Sequence, residues 1–186
     1  MNSFILEEIR QLHLHVLDRM LQLYMHDINE YFDYPVLLDN NGLYCIKKAE
    51  KFLSKGSGYF ILVSCEYAGF VLLNNQTKLP GGVFISEFYI SPCFRHGFFY
   101  KEVVCSLFSK LKGHVEFRVL KKNRRALVLF KYLAKKYVSK VEITHECENE
   151  EKFFRFALDT ENILINLSGY KKHIMPHSKK PVICKS

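Results

Sequence analysis

The spacing of apolar positions changes several times along this chain, and each change marks an element. "FILEEIR" reads as a short first strand. Leu12, Val16, Leu17, Met20, Leu21, Tyr24, Met25 and Ile28 then recur three and four apart, which places them on one face of a helix of about five turns. That helix is expected to end near "YFDYP", because Pro35 disfavours helical backbone at Tyr34. "DNNGLY" is a loop, and "CIKKAEKFLSKGSG" a short helix stopped by Gly56 and Gly58. "YFILVSCEYAGFVLL" holds two apolar runs around "SCEYAG", the pattern of a hairpin. After a turn at "NNQTKLPGG" comes the apolar strand "VFISEFYI", then a helical stripe of Val103, Val104, Leu107, Phe108 and Leu111. "HVEFRVL" is a strand, and Ala126, Leu127, Phe130, Leu133, Ala134 and Tyr137 form another helical stripe. The alternating segments "KVEITHE" and "EKFFRFALD" suit a closing antiparallel pair.

The order is β-α-α-β-β-β-α-β-α-β-β. Two central β-α units require a parallel right-handed crossover, and the flanking hairpins require antiparallel neighbours. The predicted fold class is therefore α/β with a mixed sheet. With 186 residues, 48% of them hydrophobic, the chain can bury one sizeable core. The expected organisation is one domain over residues 1–168 and a basic tail over 169–186. No repeat competes with this reading, and no apolar run approaches the roughly 18 residues of a membrane span. "MNSFILEEIRQLHLH" puts acids and an Arg where a signal peptide needs an apolar segment, so a cytoplasmic protein is expected. Cys45, Cys65, Cys93, Cys105, Cys147 and Cys184 follow no short-spacing framework and read as reduced, mostly buried thiols.

The formal net charge is +8. Part of it lies in "GYKKHIMPHSKKPVICKS" and part in "RVLKKNRRALVLFK", which holds Arg118, Lys121, Lys122, Arg124, Arg125 and Lys131. Solvated surface accounts for such clusters, and so does attraction of a polyanion: a nucleotide cofactor, an acidic acyl carrier protein or RNA.

Three stretches resemble the GNAT N-acetyltransferases, in particular a bacterial branch of predicted acetyltransferases, over roughly Phe4 to Leu158. "LQLYMHDINEYF" with "LDNNGLY" is similar to that branch's first helix and loop. "YFILVSCEYAGFVLL" is similar to its second and third strands. "ISEFYISPCFRHGFFYKEVVCSLF" followed by "GHVEFRVLKKNRRALVLF" is similar to its cofactor-binding half. The resemblance implies an acyl-CoA N-acyltransferase fold with splayed parallel central strands. It also implies transfer of an acyl group from acetyl-CoA, or another acyl-CoA, to a primary amine of a small molecule or protein.

In the family the splayed strand leads into R/Q-x-x-G-x-G/A, whose backbone N–H groups cradle a pyrophosphate at a helix start. The first N–H groups of a helix lack internal partners and its dipole favours an anion there. Arg95 matches the motif, but Phe98 and Tyr100 stand where the two glycines belong, and Gly97 falls one position early. Glycine in such a loop offers positive φ and the absence of a Cβ. Three readings follow: Gly97 stands in after a one-residue slip, with His96 and Arg95 adding charge; the donor arrives on an acyl carrier protein; or the site has lapsed and the protein binds or regulates. The resemblance assigns the donor to Ile90, Ser91, Arg95, His96, Gly97, Phe98, Phe99, Tyr100, Asn123 and Phe130. Asn123 with Ala126 matches N-x-x-A, although Asn123 equally suits the N-cap of the following helix. Phe130 replaces a Tyr that commonly protonates the departing thiolate, and Tyr132, about 200° further around a helix, cannot substitute for it.

Glu87, an acid inside "VFISEFYI", is the candidate general base. A solvent-facing or Arg-paired glutamate gives the same pattern. Tyr24, Asp27, Glu30 and Tyr31 cluster at the end of the first helix as candidate acceptor contacts, with Asp27 and Glu30 spaced to hold a cationic amine or simply to face water. No metal is expected: His173, His177 and Cys184 surround Pro176, which disfavours the helix their spacing would need. Cys93, in the turn beside the expected thioester, is an alternative nucleophile only if transfer is not direct.

Overall fold

The chain begins with β1 (Phe4–Glu8) and a 3-10 turn, then α1 (Leu14–Ile28) and α2 (Ala49–Leu53). Next come β2 (Gly56–Val63), β3 (Glu66–Asn74), β4 (Val83–Ile90), α3 (Phe99–Lys110), β5 (His114–Leu120), α4 (Arg124–Tyr137), β6 (Lys140–Glu148) and β7 (Glu151–Asp159). This is a computed structural model, and it describes residues 4–96, 99–138 and 140–161. The basic tail, Gly97 and Phe98 lie outside those residues. The element order matches the one that hydrophobic spacing predicts.

The strands form one seven-stranded sheet in the order β1-β2-β3-β4-β5-β7-β6, with β4 and β5 parallel and the other neighbours antiparallel. α1 and α2 cover one face, where Leu17, Met20 and Leu21 pack with Phe60, Phe70 and Tyr89. α3 and α4 cover the other, where Val104, Leu107, Phe108, Phe130 and Leu133 meet Val115, Phe117 and Phe156. The Phe117 and Phe156 rings stack 4.8 Å apart, tying β5 to β7 beneath α4. Among the described residues no helix is long and apolar enough to cross a membrane.

Several local expectations change. Gly56 and Gly58 do not stop α2; both lie in β2. A Cβ at Gly56 would stand 1.8 Å from the Leu73 carbonyl oxygen, so glycine here permits close strand approach rather than helix termination. The β2–β3 turn is Ser64-Cys65 alone, both at positive φ (51° and 68°). The pair of left-handed residues matches the right-handed strand twist despite lacking glycine. Leu12 is exposed because its turn is 3-10, so it leaves the buried face of α1. The cysteines are not mostly buried: Cys45, Cys65, Cys93 and Cys147 are exposed and Cys105 is half-buried, all as free thiols, because most fall in turns or on the edge strand β6.

Candidate active site

The β4–β5 ladder joins Val83 to Val115, Phe84 to Glu116 and Ile85 to Phe117, and then stops. Beyond Ile85 the strands diverge, and a cavity of about 650 Å³ opens between them. The end of α1 reaches it from one face of the sheet, while α3 and the first turns of α4 reach it from the other. This is the parallel-then-splayed geometry expected from the sequence.

Glu87 lies on β4 at this opening, half-buried, with its side chain in the cavity wall. Burial pushes its pKa up to about 7, against the opposing pull of the Tyr24 hydroxyl and of Arg118 and Lys47. Tyr24 and Glu87 are hydrogen-bond partners, and burial followed by the carboxylate's charge raises the Tyr24 phenol in turn. The Tyr24 ring is fixed edge-on against Phe70 and Tyr89, at 5.8 and 6.0 Å between centroids. A carboxyl group near neutrality can take a proton and return it at ordinary pH.

Arg95 does not stand free beside the turn. Its two terminal nitrogens donate to both Asp27 carboxylate oxygens at 3.0 and 2.6 Å, and its Nε donates to the Ile90 carbonyl at 2.5 Å. The guanidinium carbon sits 5.5 Å from the Tyr89 ring centre. One arginine therefore bridges the end of β4 to α1 across the cavity mouth. The Ser91 N–H is also engaged, donating to the Ala68 carbonyl at 2.8 Å.

Tyr24, Asp27, Tyr31, Glu87, Ile90, Arg95, Tyr100, Asn123 and Phe130 all line the one cavity. Glu30, Ser91, His96 and Phe99 do not. α1 ends at Ile28, so Glu30 lies in a following 3-10 turn and serves Tyr31 as a hydrogen-bond partner. The Phe99 ring turns away, edge-on to Phe4 at 5.7 Å. Tyr100 turns inward, edge-on to Phe88 at 5.4 Å and 6.4 Å from Phe130. Among the described residues its hydroxyl has no hydrogen-bond partner, and burial raises its pKa. Asn123 caps α4, its Oδ1 accepting from the Ala126 N–H at 3.0 Å. Tyr132 is exposed on α4 and accepts from Lys136.

Sequence spacing missed Arg118 and Arg125 as cavity residues. Arg118 projects from β5, stacks over Phe153 at 4.8 Å and pairs with Glu148. Its position as a charge inside the apolar run "HVEFRVL" is the signal that could have found it.

No family model and no curated sequence matches the chain. Solved structures do. An acetyltransferase from Thermus thermophilus aligns at 8% identity over 84% of this chain and 98% of that one, with a TM-score of 0.59. The fold is that of the GNAT acyl-CoA N-acyltransferases. Another GNAT-fold structure, spermidine N-acetyltransferase from Vibrio cholerae in complex with CoA and spermine, aligns at 10% identity over 86% and 97%, with a TM-score of 0.58. A Bacillus subtilis acetyltransferase in complex with CoA aligns at 18% identity over 86% and 99%, with a TM-score of 0.51.

Proposed function

We propose that this protein transfers an acyl group from acetyl-CoA, or another acyl-CoA, to a primary amine, with Glu87 as the base. The observation that carries the reading is a carboxyl group with a pKa near 7 in the wall of a cavity opened by the splay of two parallel strands. Glu87 takes the proton of the acceptor ammonium, directly or through water, and Tyr24 holds the carboxylate in place while the freed amine attacks the acyl carbon. The thioester contributes an activated acyl group and a leaving group that needs little acid assistance. Tyr100 places its hydroxyl on the α3 side of the same cavity, where it can donate a hydrogen bond to the departing thiolate, which leaves as the anion. Holding both reactants in the splay supplies proximity.

The cavity has room for a donor's arm, within the ordinary range for ligand sites, and the backbone at the start of α3 suits a phosphate. Arg95 is held by Asp27, so the phosphate contacts in this reading fall to that backbone. Protein incubated with acetyl-CoA and a set of amines should release thiol, and Glu87→Gln should abolish most of that release. A second reading, a binding or regulatory protein that has lost catalysis, is favoured by the Arg95–Asp27 pair and by the aromatic residue at position 100. Calorimetry separates them: absence of any affinity at millimolar CoA would sink the enzyme reading.

A further inference from the structure

The α1 side of the cavity is apolar. Met25, Ile28, Tyr31, Phe32, Ile46 and Phe52 line it. Among the described residues the carboxylates in the lining are Asp27 and Glu87. Asp27 has both oxygens committed to Arg95, so its charge is neutralised in a bidentate geometry that a lone ammonium does not readily displace. Of the acids near the mouth, Asp33 pairs with Lys122 and Glu148 with Arg118, Glu151 accepts from the backbone N–H groups of Asp33 and Tyr34, and Glu30 accepts from the Tyr31 hydroxyl. Arg125 adds positive charge to the lining, while Arg118 there is paired with Glu148. Among the described residues of the lining one carboxylate, Glu87, is left to meet a cation, and a second cation deeper in the cavity would meet Arg125 and hydrocarbon.

From this arrangement, and resting on the acyl-transfer reading, we infer that the acceptor is a primary amine with a single positive charge on an apolar or aromatic body, and that the Arg95–Asp27 pair excludes polyamines. The ammonium sits at Glu87 while the body lies against the aromatic and aliphatic wall, where burial of its surface supplies affinity. The pair acts as a selectivity element because Asp27 is the carboxylate that could otherwise hold a second amino group. A spermine-bound relative of the same fold makes polyamines the natural competing class.

Calorimetry on the natural protein, with phenethylamine and spermidine as probes and no donor present, tests this without requiring turnover. Phenethylamine should bind at least about tenfold more tightly, the scale expected for burying an aromatic ring against an unpaired second charge. Arg95→Gln should raise spermidine affinity about tenfold by freeing Asp27, while Asp27→Asn should give no such gain. Equal or tighter spermidine binding by the natural protein overturns the inference. So does an Arg95→Gln variant whose spermidine affinity is unchanged, or binding of neither amine at millimolar concentration. If phenethylamine binds as expected but CoA does not, the amine pocket stands and acyl transfer from CoA falls.

Discussion

Glu87 on β4 and Glu116 on β5 are carboxylates on adjacent strands, each set in an apolar stretch, and their surroundings drive them in opposite directions. Burial raises Glu87 to about 7, and the Tyr24 hydroxyl only moderates this. Glu116 is 1% exposed, yet its pKa lies below the usual carboxylate value, because the push of burial is overcome by Arg155 and by the Lys78 backbone N–H. Arg155 also reaches Glu146, which binds the Lys78 ammonium at 2.6 Å. Glu116 is a closed ionic network that locks β5, β6 and β7 to the loop before β4. Glu87 has a phenol and a cavity. An arginine in contact makes a buried acid structural, whereas an uncharged partner leaves it able to exchange a proton.

The largest effect should come from breaking the closed network. Arg155→Met leaves Glu116 buried without its cation, and urea unfolding should show a loss of about 3 to 5 kcal/mol. The double variant Glu116→Gln with Arg155→Met should recover a good part of that loss; no recovery would mean that the arginine acts through packing on Phe84 instead.

Breaking the open site should cost turnover rather than stability. With an acceptor in hand, Glu87→Gln should lower kcat by about 100-fold while donor affinity barely changes. A variant that keeps its rate across the pH range would reduce Glu87 to a structural role.

The same substitution has a smaller signature in unfolding. Because the folded-state pKa of Glu87 is raised from 4.5 to about 7, its stability contribution is complete at low pH and is lost as pH climbs through that window. Glu87→Gln removes the loss, so at pH 8 the variant should be more stable than the natural protein by about 1 to 2 kcal/mol, discounted for the solvent the cavity admits. At pH 4 the two should coincide.

The smallest effect sharpens the comparison. Tyr24→Phe removes the hydrogen bond that favours the Glu87 anion, and the pH–rate profile should move up by about half a unit to one unit. A downward or absent shift would place the controlling charge elsewhere, with Arg118 and Lys47 the remaining sources.

Much of the architecture is legible in periodicity alone, because apolar alternation and helical stripes are local properties. The order of elements, the parallel pairing of "VFISEFYI" with "HVEFRVL", and Glu87 as an acid within an apolar strand all come from spacing. Partner choice does not. Arg95 and Asp27 are 68 positions apart, and the sequence suggests a separate role for each, one toward a phosphate and one toward an amine. Their union depends on how α1 crosses the end of β4. Glu116 and Arg155 each interrupt an apolar strand visibly, but only the β5–β7 register brings them together. The sequence offers Asn123 as a cofactor contact or as an N-cap, and its side-chain oxygen is observed at the α4 cap.

The three-pair ladder between β4 and β5 has a mechanical consequence. β1 to β4 hang together through long antiparallel ladders, as do β5 to β7, so the sheet is two stiff leaves joined by a short spine at Val83–Ile85. Arg95 does not cross between the leaves; it ties α1 to the free end of β4, and so stiffens the first leaf alone. A wedge entering the splay therefore works against the α3 and α4 side chains, the spine, and the ties from Asp33 and Tyr34 to Glu151 and Lys122, and the opening of the leaves sets how thick that wedge can be.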